Sequence, residues 1–225
     1  MSGLVFIISA PSGSGKSTLV NEIRQEIGGL EFSISYTTRK PRGSEQPGRE
    51  YFFIERPEFE RMIRDGAFLE HAEVFGNYYG TARHFLDDAR ARGNDLLLDI
   101  DVQGAAQVQK NLPEAISIFV LPPSRSELER RLRRRSTDTD EVINRRLKTA
   151  SGEIENYRNY SYILVNDRLE DSIEALKAIM LSERARHDGR PPSGEEQHLL
   201  DLAAQRRLEA MSASIQSILA TFGPE

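Results

Sequence analysis

No cysteine occurs in the 225 residues, which excludes disulfides and thiolate metal sites and leads us to expect a cytoplasmic protein. No run approaches the roughly 18 apolar residues of a membrane helix. The longest, Leu4 to Ile8, suits a buried strand. The N-terminus shows no basic stretch followed by a long apolar core, so a secretory signal is not expected. Positive charge is not in excess either: the net charge is −5, with both signs spread along the chain. That argues against general binding to nucleic acid or to an anionic membrane. The four histidines are scattered and show no metal-ligand spacing. Internal repeats and low-complexity segments are absent.

What is present reads as globular, with 29% charged and 38% hydrophobic residues. Leu4–Ser9 predicts a strand, and Ser17–Ile27 carries Leu19, Ile23 and Ile27 at helical spacing. The pattern returns with the strands Asp95–Ile100, Ala115–Leu121 and Tyr162–Val165, each followed by a helix-like stretch. Ser124 with Glu127 forms a capping box, and Asp167 is placed to cap the last of these helices. Strands alternating with helices imply an α/β fold, with a mainly parallel sheet covered on both faces.

Two segments break the rhythm. Residues 32–81 are rich in Tyr, Phe, Arg, Gly and Thr, with short alternating runs at Phe32–Tyr36 and Tyr51–Ile54, and read as a small β-rich insertion. The polar, basic stretch Arg133–Glu141 lies between two helices and suggests a mobile lid, about 133–146. The expected organisation is a core of 1–31 and 82–187, a linker at 188–194, and a tail at 195–225. The tail repeats Leu208, Met211, Ile215, Ile218 and Phe222, as one amphipathic helix would. Such a stripe can pack on its own core, pair two subunits, or bind a partner.

The stretch APSGSGKST, Ala10–Thr18, follows the first strand. Gly15, Lys16 and Ser17 end the phosphate-loop pattern G-x-x-x-x-G-K-[ST], although Ala10 stands where its first Gly would be. Glycines at 13 and 15 permit positive φ angles that turn successive N–H groups toward an anion. Lys16 adds a full charge and Ser17 a hydroxyl for Mg²⁺, partly through water. The plainer alternative is a flexible Gly/Ser turn. Asp99 and Asp101 end the strand NDLLLDID, so they face the crevice beyond its carboxyl end. Asp99 could hold metal-bound water or position an acceptor, and one of the two could simply cap the next helix.

Together these motifs resemble the guanylate kinase family. The resemblance covers residues 3–187 and rests on APSGSGKST, SISYTTRKPRGSE, GREYFFI, FLEHAEVFGNYYGT, LLLDIDVQG, RRLRRRSTDTDEVINRRL and VND, in that order. It implies transfer of the γ-phosphoryl of ATP to GMP, with Mg²⁺ as cofactor and dGMP as a further acceptor. It also implies that Arg39, Arg42, Tyr51 and Tyr79 grip the GMP phosphate. Ser35, Glu70 and Thr81 would read guanine, with Asp99 and Asp101 nearby. Ser12, Gly13, Ser14, Gly15, Lys16, Ser17 and Thr18 would hold ATP, as would Arg131, Arg135 and Asn166. Lys16, Arg39, Arg135 and Arg146 would be the catalytic charges.

The residue types make sense for that chemistry. Two arginines three apart on a Pro-interrupted segment can both fork onto one phosphate. Guanine presents N1–H and a 2-amino group side by side, and a carboxylate accepts both. Adenine does neither, and such sites discriminate on the order of 10⁴–10⁵-fold. In FLEHAEVF, Glu70 points either inward with residues 68 and 72 or outward alone, and alternation does not decide which. Isolated, the arginines read equally as surface charge and the tyrosines as packing. Rival readings are a kinase for another monophosphate, or a scaffold module built on the same fold. An N-K-x-D element, as in P-loop GTPases, does not occur. A homo-oligomer through the C-terminal helix is one further expectation.

Overall fold

The first apolar run forms β1 (Val5–Ser9), and every one of its residues is buried. A strand covered on both faces loses the alternation of a half-exposed one, which is why it reads as a continuous hydrophobic run. The computed structural model describes residues 3–74, 76–135, 139–189 and 194–223. After β1 come α1 (Lys16–Glu26), β2 (Leu30–Phe32), β3 (Tyr36–Thr37), β4 (Phe52–Phe53), α2 (Arg56–Arg64), β5 (Phe68–Val74) and β6 (Asn77–Ala82). Next are α3 (His84–Arg92), β7 (Asp95–Asp99), α4 (Val102–Asn111), β8 (Ile116–Leu121), α5 (Arg125–Arg135) and α6 (Asp140–Ile154). The chain ends with β9 (Tyr162–Val165), α7 (Leu169–His187), α8 (Gly194–Ala204) and α9 (Ser212–Ala220).

The fold is α/β. A five-stranded sheet runs in the order β2-β7-β1-β8-β9, with β2 parallel to β7 and β8 parallel to β9. A second sheet has the order β4-β3-β6-β5. By contact, the chain divides into two compact units, Met1–Ile7 with Gly29–Ile116, and Ile8–Gly28 with Ser117–Glu225.

The first unit holds the second sheet. The expected run Phe32–Tyr36 divides, because Leu30–Phe32 pairs with Asp95–Leu97 of β7 while Tyr36 belongs to the second sheet. One face of that sheet carries an apolar cluster of Phe59, Phe68 and Ala82, against which Tyr36, Ile54, Met62 and Tyr78 pack. Phe59 comes from α2, a helix the β-rich composition concealed. Its ring stacks on Phe68 at 4.5 Å and on Tyr78 at 5.2 Å.

The second unit is built on β8 and β9. Small residues of α7 (Ala175, Ala178, Ser182 and Ala185) are buried, and α8 packs closely on that helix. Asp167 does not cap α7. The cap position is Arg168, no side chain satisfies it, and Ser172 Oγ donates to Arg168 O at 2.8 Å. The tail is two helices, not one. Between them Arg206 O accepts the Ile163 N–H at 2.8 Å and the Leu208 N–H donates to Ser161 O at 3.2 Å. This covers the outer edge of β9, a place where an unpaired strand invites aggregation. Arg207 lies over the Tyr162 ring and pairs with Glu183 at 2.9 Å, and the Tyr162 hydroxyl donates to Glu183. Burial, and then Glu183, push that phenol's pKa up.

Candidate functional site

The loop between β1 and α1 turns where Ser14 N–H donates to Pro11 O at 3.1 Å, with Gly13 at φ 94° and Gly15 at φ 92°. Side chains are excluded there by close approach as well as by backbone strain. A Cβ on Gly13 would sit 2.8 Å from Leu132 Cδ2, and one on Gly15 would collide with Asn166 Nδ2. Asn166 is buried and its Nδ2 donates to Ser14 O at 2.7 Å. Arg131 donates to the same carbonyl at 3.3 Å and to Asn166 O at 2.9 Å. Arg146 reaches Ser12 Oγ at 2.8 Å. Three of the residues expected to hold ATP or its transferring phosphate therefore lie against the loop itself.

Lys16, Ser17 and Thr18 open α1, whose positive end points at whatever the loop holds. Ser14 Oγ is buried with no hydrogen-bond partner among the described residues. Ser124 caps α5 by accepting the Glu127 N–H at 3.2 Å, but the Glu127 carboxylate is spent on Arg130 at 2.7 Å and Arg131 at 2.6 Å. Arg130, and then Arg131, hold its pKa down to about 2. Arg135 ends α5, and its side chain lies outside the described residues, as do residues 136–138 of the expected lid.

The first unit carries the acceptor-side candidates. Phe68 pairs with Ala82, yet Glu70 pairs with Thr81, so two steps along β5 match one along β6. This bulge turns Glu70 to the face opposite Phe68 and keeps it with Ala72, whose partner is Tyr79. The expectation had Glu70 either with both 68 and 72 or with neither. The bulge separates the two. Glu70 is 5% exposed and Thr81 fully buried. Burial lifts the Glu70 pKa to about 7, the Asp101 charge adds to the rise, and Thr81 opposes it. Thr81 Oγ1 itself completes no hydrogen bond of normal geometry among the described residues.

Helix α4 stands beside β5. Asp101 caps it, Oδ1 accepting from Gln103 N at 2.9 Å and Gly104 N at 2.8 Å. Gln107 closes two bonds on the edge of β5, accepting from His71 N at 3.2 Å and donating to His71 O at 2.7 Å. In doing so it stands in for a neighbouring strand.

Arg39 is 9% exposed and pairs with Glu45 at 3.0 Å. Its guanidinium lies 5.3 Å from the Tyr51 ring centre and 5.8 Å from that of Phe53. Tyr51 and Tyr79 meet edge to face at 5.9 Å. Burial and then Asp99 push the Tyr51 phenol up, so Asp99 belongs to the same group. Arg42 joins through its backbone, its N–H donating to Glu45 at 2.8 Å, while Ser35 accepts the Phe52 N–H at 2.9 Å through its carbonyl. The structure thus assembles Arg39, Tyr51, Tyr79 and Asp99 as one cluster and Glu70, Thr81 and Asp101 as another.

A family model described as guanylate kinase matches residues 2–183. The chain belongs to the guanylate kinase family. It is 59% identical to the guanylate kinase of Koribacter versatilis over 225 residues, covering 99% of this chain and 97% of the relative. Identity to the Escherichia coli K12 guanylate kinase is 48% over 186 residues, 82% of this chain and 90% of the relative. The crystal structure of guanylate kinase from Anaplasma phagocytophilum superposes with a TM-score of 0.68 at 36% identity, covering 81% of this chain and 86% of that one.

Three residues of this chain escaped the sequence reading. Glu45 holds Arg39 and the Arg42 backbone, and its spacing three residues after Arg42 was the available signal. Gly104 and Gln107 bear on Glu70 and its strand from a different element, and no local pattern announces that. No helix among the described residues is long and apolar enough to cross a membrane.

Proposed function

We propose that the chain transfers the γ-phosphoryl of ATP to GMP, yielding ADP and GDP. The observation that carries this reading is the bulge-directed carboxyl of Glu70, buried beside an incompletely bonded Thr81 hydroxyl. Such a pair suits a base that presents adjacent N–H donors, as guanine does. Family membership and the intact Lys16–Ser17 loop point the same way.

On the donor side, the N–H groups at Gly13–Ser17 and the Lys16 ammonium would take the β- and γ-phosphates. Asn166 and Arg131 brace that loop from behind. Arg146 would follow the phosphates from α6, and Arg135 would join it. On the acceptor side, Arg39 would fork onto the GMP phosphate, with Arg42, Tyr51 and Tyr79 completing the grip. Glu45 already neutralises Arg39, so the arriving phosphate has to share or displace that carboxylate. Ser35, Glu70 and Thr81 would read the base, with Asp99 and Asp101 near it.

A phosphate monoester is anionic at neutral pH and needs no general base. Rate then comes from in-line positioning, charge stabilisation and exclusion of water. The Ser17 hydroxyl, a hard oxygen on the first turn of α1, fits Mg²⁺, which keeps several waters and takes few protein ligands. Among the described residues no cluster of three or more His, Asp or Glu side chains offers a metal cage. When bound, the ion would offset charge on the phosphates.

Product stoichiometry tests the reading. ADP and GDP should appear one to one from ATP and GMP, whereas ADP formed without GDP would make the chain an ATPase and overturn it.

A further inference from the structure

The tail of this chain lies beyond the matched family region, residues 2–183, yet the 59% identical relative aligns across it. Its end touches the donor-side helices at two points. Thr221 Oγ1 accepts the Arg125 N–H at 3.0 Å, at the very start of α5, while donating to Ile218 O at 2.7 Å. Phe222 packs against a cluster made only by α5 and α6: Leu128, Leu132, Ile143, Leu147 and Ala150.

That cluster does not stop at the helices. Leu132 and Leu128 are the atoms a Cβ at Gly13 would meet, at 2.8 and 3.0 Å, so the same leucines rest on the phosphate loop. One residue before Leu132, Arg131 donates to Ser14 O, and α6 sends Arg146 to Ser12. A continuous line of packed groups therefore runs from Phe222 through the α5–α6 cluster to the loop. The far end of the tail is anchored separately, by α8 on α7 and by the pairing of Arg206 and Leu208 with β9. Phe222 is only half-buried, and a cleft of about 380 Å³ opens beside it, lined also by Asn144, Leu147 and Lys148. The contact is thus a strut against the outside of α5 and α6 and not part of a sealed core.

We infer that Thr221 and Phe222 are positioning residues for the ATP side: the tail presses α5 and α6 onto the phosphate loop and so sets donor affinity. The inference rests on the donor-side reading above. Networks of packed side chains of this kind typically couple by amounts worth about 2- to 30-fold in affinity.

The test is calorimetric titration of the full-length protein with Mg²⁺ and an ATP analogue whose β–γ bridge cannot be cleaved, and separately with GMP. F222A should weaken the analogue by about 3- to 20-fold, F222L should recover most of that loss, and T221V should weaken it by about 2- to 5-fold. GMP affinity should stay within about twofold throughout, since every contact of the strut is on the donor side. Equal analogue affinity in wild type, F222A and T221V would overturn the inference, as would a parallel loss for GMP, which marks general destabilisation. Should F222A not fold, T221V decides alone. Wild-type protein that does not bind the analogue at all would instead remove the donor-side reading beneath it.

Discussion

Phe68 and Glu70 stand two residues apart on one strand and face opposite ways, because the bulge between them gives β5 two steps for one of β6. Phe68 joins the apolar cluster and Glu70 the buried polar face. Across from that carboxyl lies Gly104 of α4, where an added Cβ would sit 2.5 Å from Glu70 Oε2. The carboxyl thus has its place only because that helix position carries no side chain.

Gly104→Ala should accordingly displace Glu70 without harming the helix, whose backbone there favours Ala over Gly. KM for GMP should rise by at least about tenfold, the scale of one disturbed charge-assisted bond, with KM for ATP unchanged. Steady-state kinetics with each substrate varied in turn would check it. Equal KM values would show that Glu70 does not engage GMP.

A pH profile follows from the same carboxyl. Its pKa is raised from 4.5 to about 7, chiefly by burial, so a falling pH protonates it in the free enzyme. Only the ionised form accepts both guanine donors. KM for GMP should therefore climb as pH drops below 7, by up to about tenfold per unit, and GMP binding at pH 6.5 should release a proton. In Glu70→Gln the climb should vanish and catalytic efficiency should be low at every pH. Linkage also gives stability a sign. The folded state holds this proton between pH 4.5 and 7 while the unfolded chain does not, so wild type loses stability as pH rises through that window. At pH 8 the variant should be more stable by roughly 3 kcal/mol, measurable by urea denaturation.

Lys16→Ala should lower kcat by at least about 10²-fold with the fold intact, since it removes a positioned charge and leaves the loop's braces in place. Circular dichroism alongside turnover separates the two effects. Near-normal turnover would refute the phosphate-loop assignment.

Much of this was readable from residue patterns alone. Buried strands such as Val5–Ser9 and Ile116–Leu121 announce themselves as apolar runs, and Gly13 and Gly15 take the positive φ their position calls for. The facing of Glu70 was not readable, since a bulge changes the parity that alternation relies on and depends on pairing with Thr81 and Ala82. Helix α2 was hidden within an aromatic stretch, although Pro57 in its first turn and Phe59, Met62 and Ile63 at helical spacing were available signs. Asn166 bracing Ser14 is a contact across 152 residues, beyond any local pattern. The tail's single stripe became two helices because the residues between them satisfy the edge of β9, a tertiary demand that overrides helical periodicity.

The central claim is that the chain phosphorylates GMP and reads its base through Glu70. Purified protein given ATP, Mg²⁺ and GMP, AMP, CMP or UMP in turn, with ADP followed over time, tests it most directly. Rapid ADP formation with GMP alone is the predicted result. Comparable turnover with any other monophosphate, or none with GMP from folded protein, would contradict it.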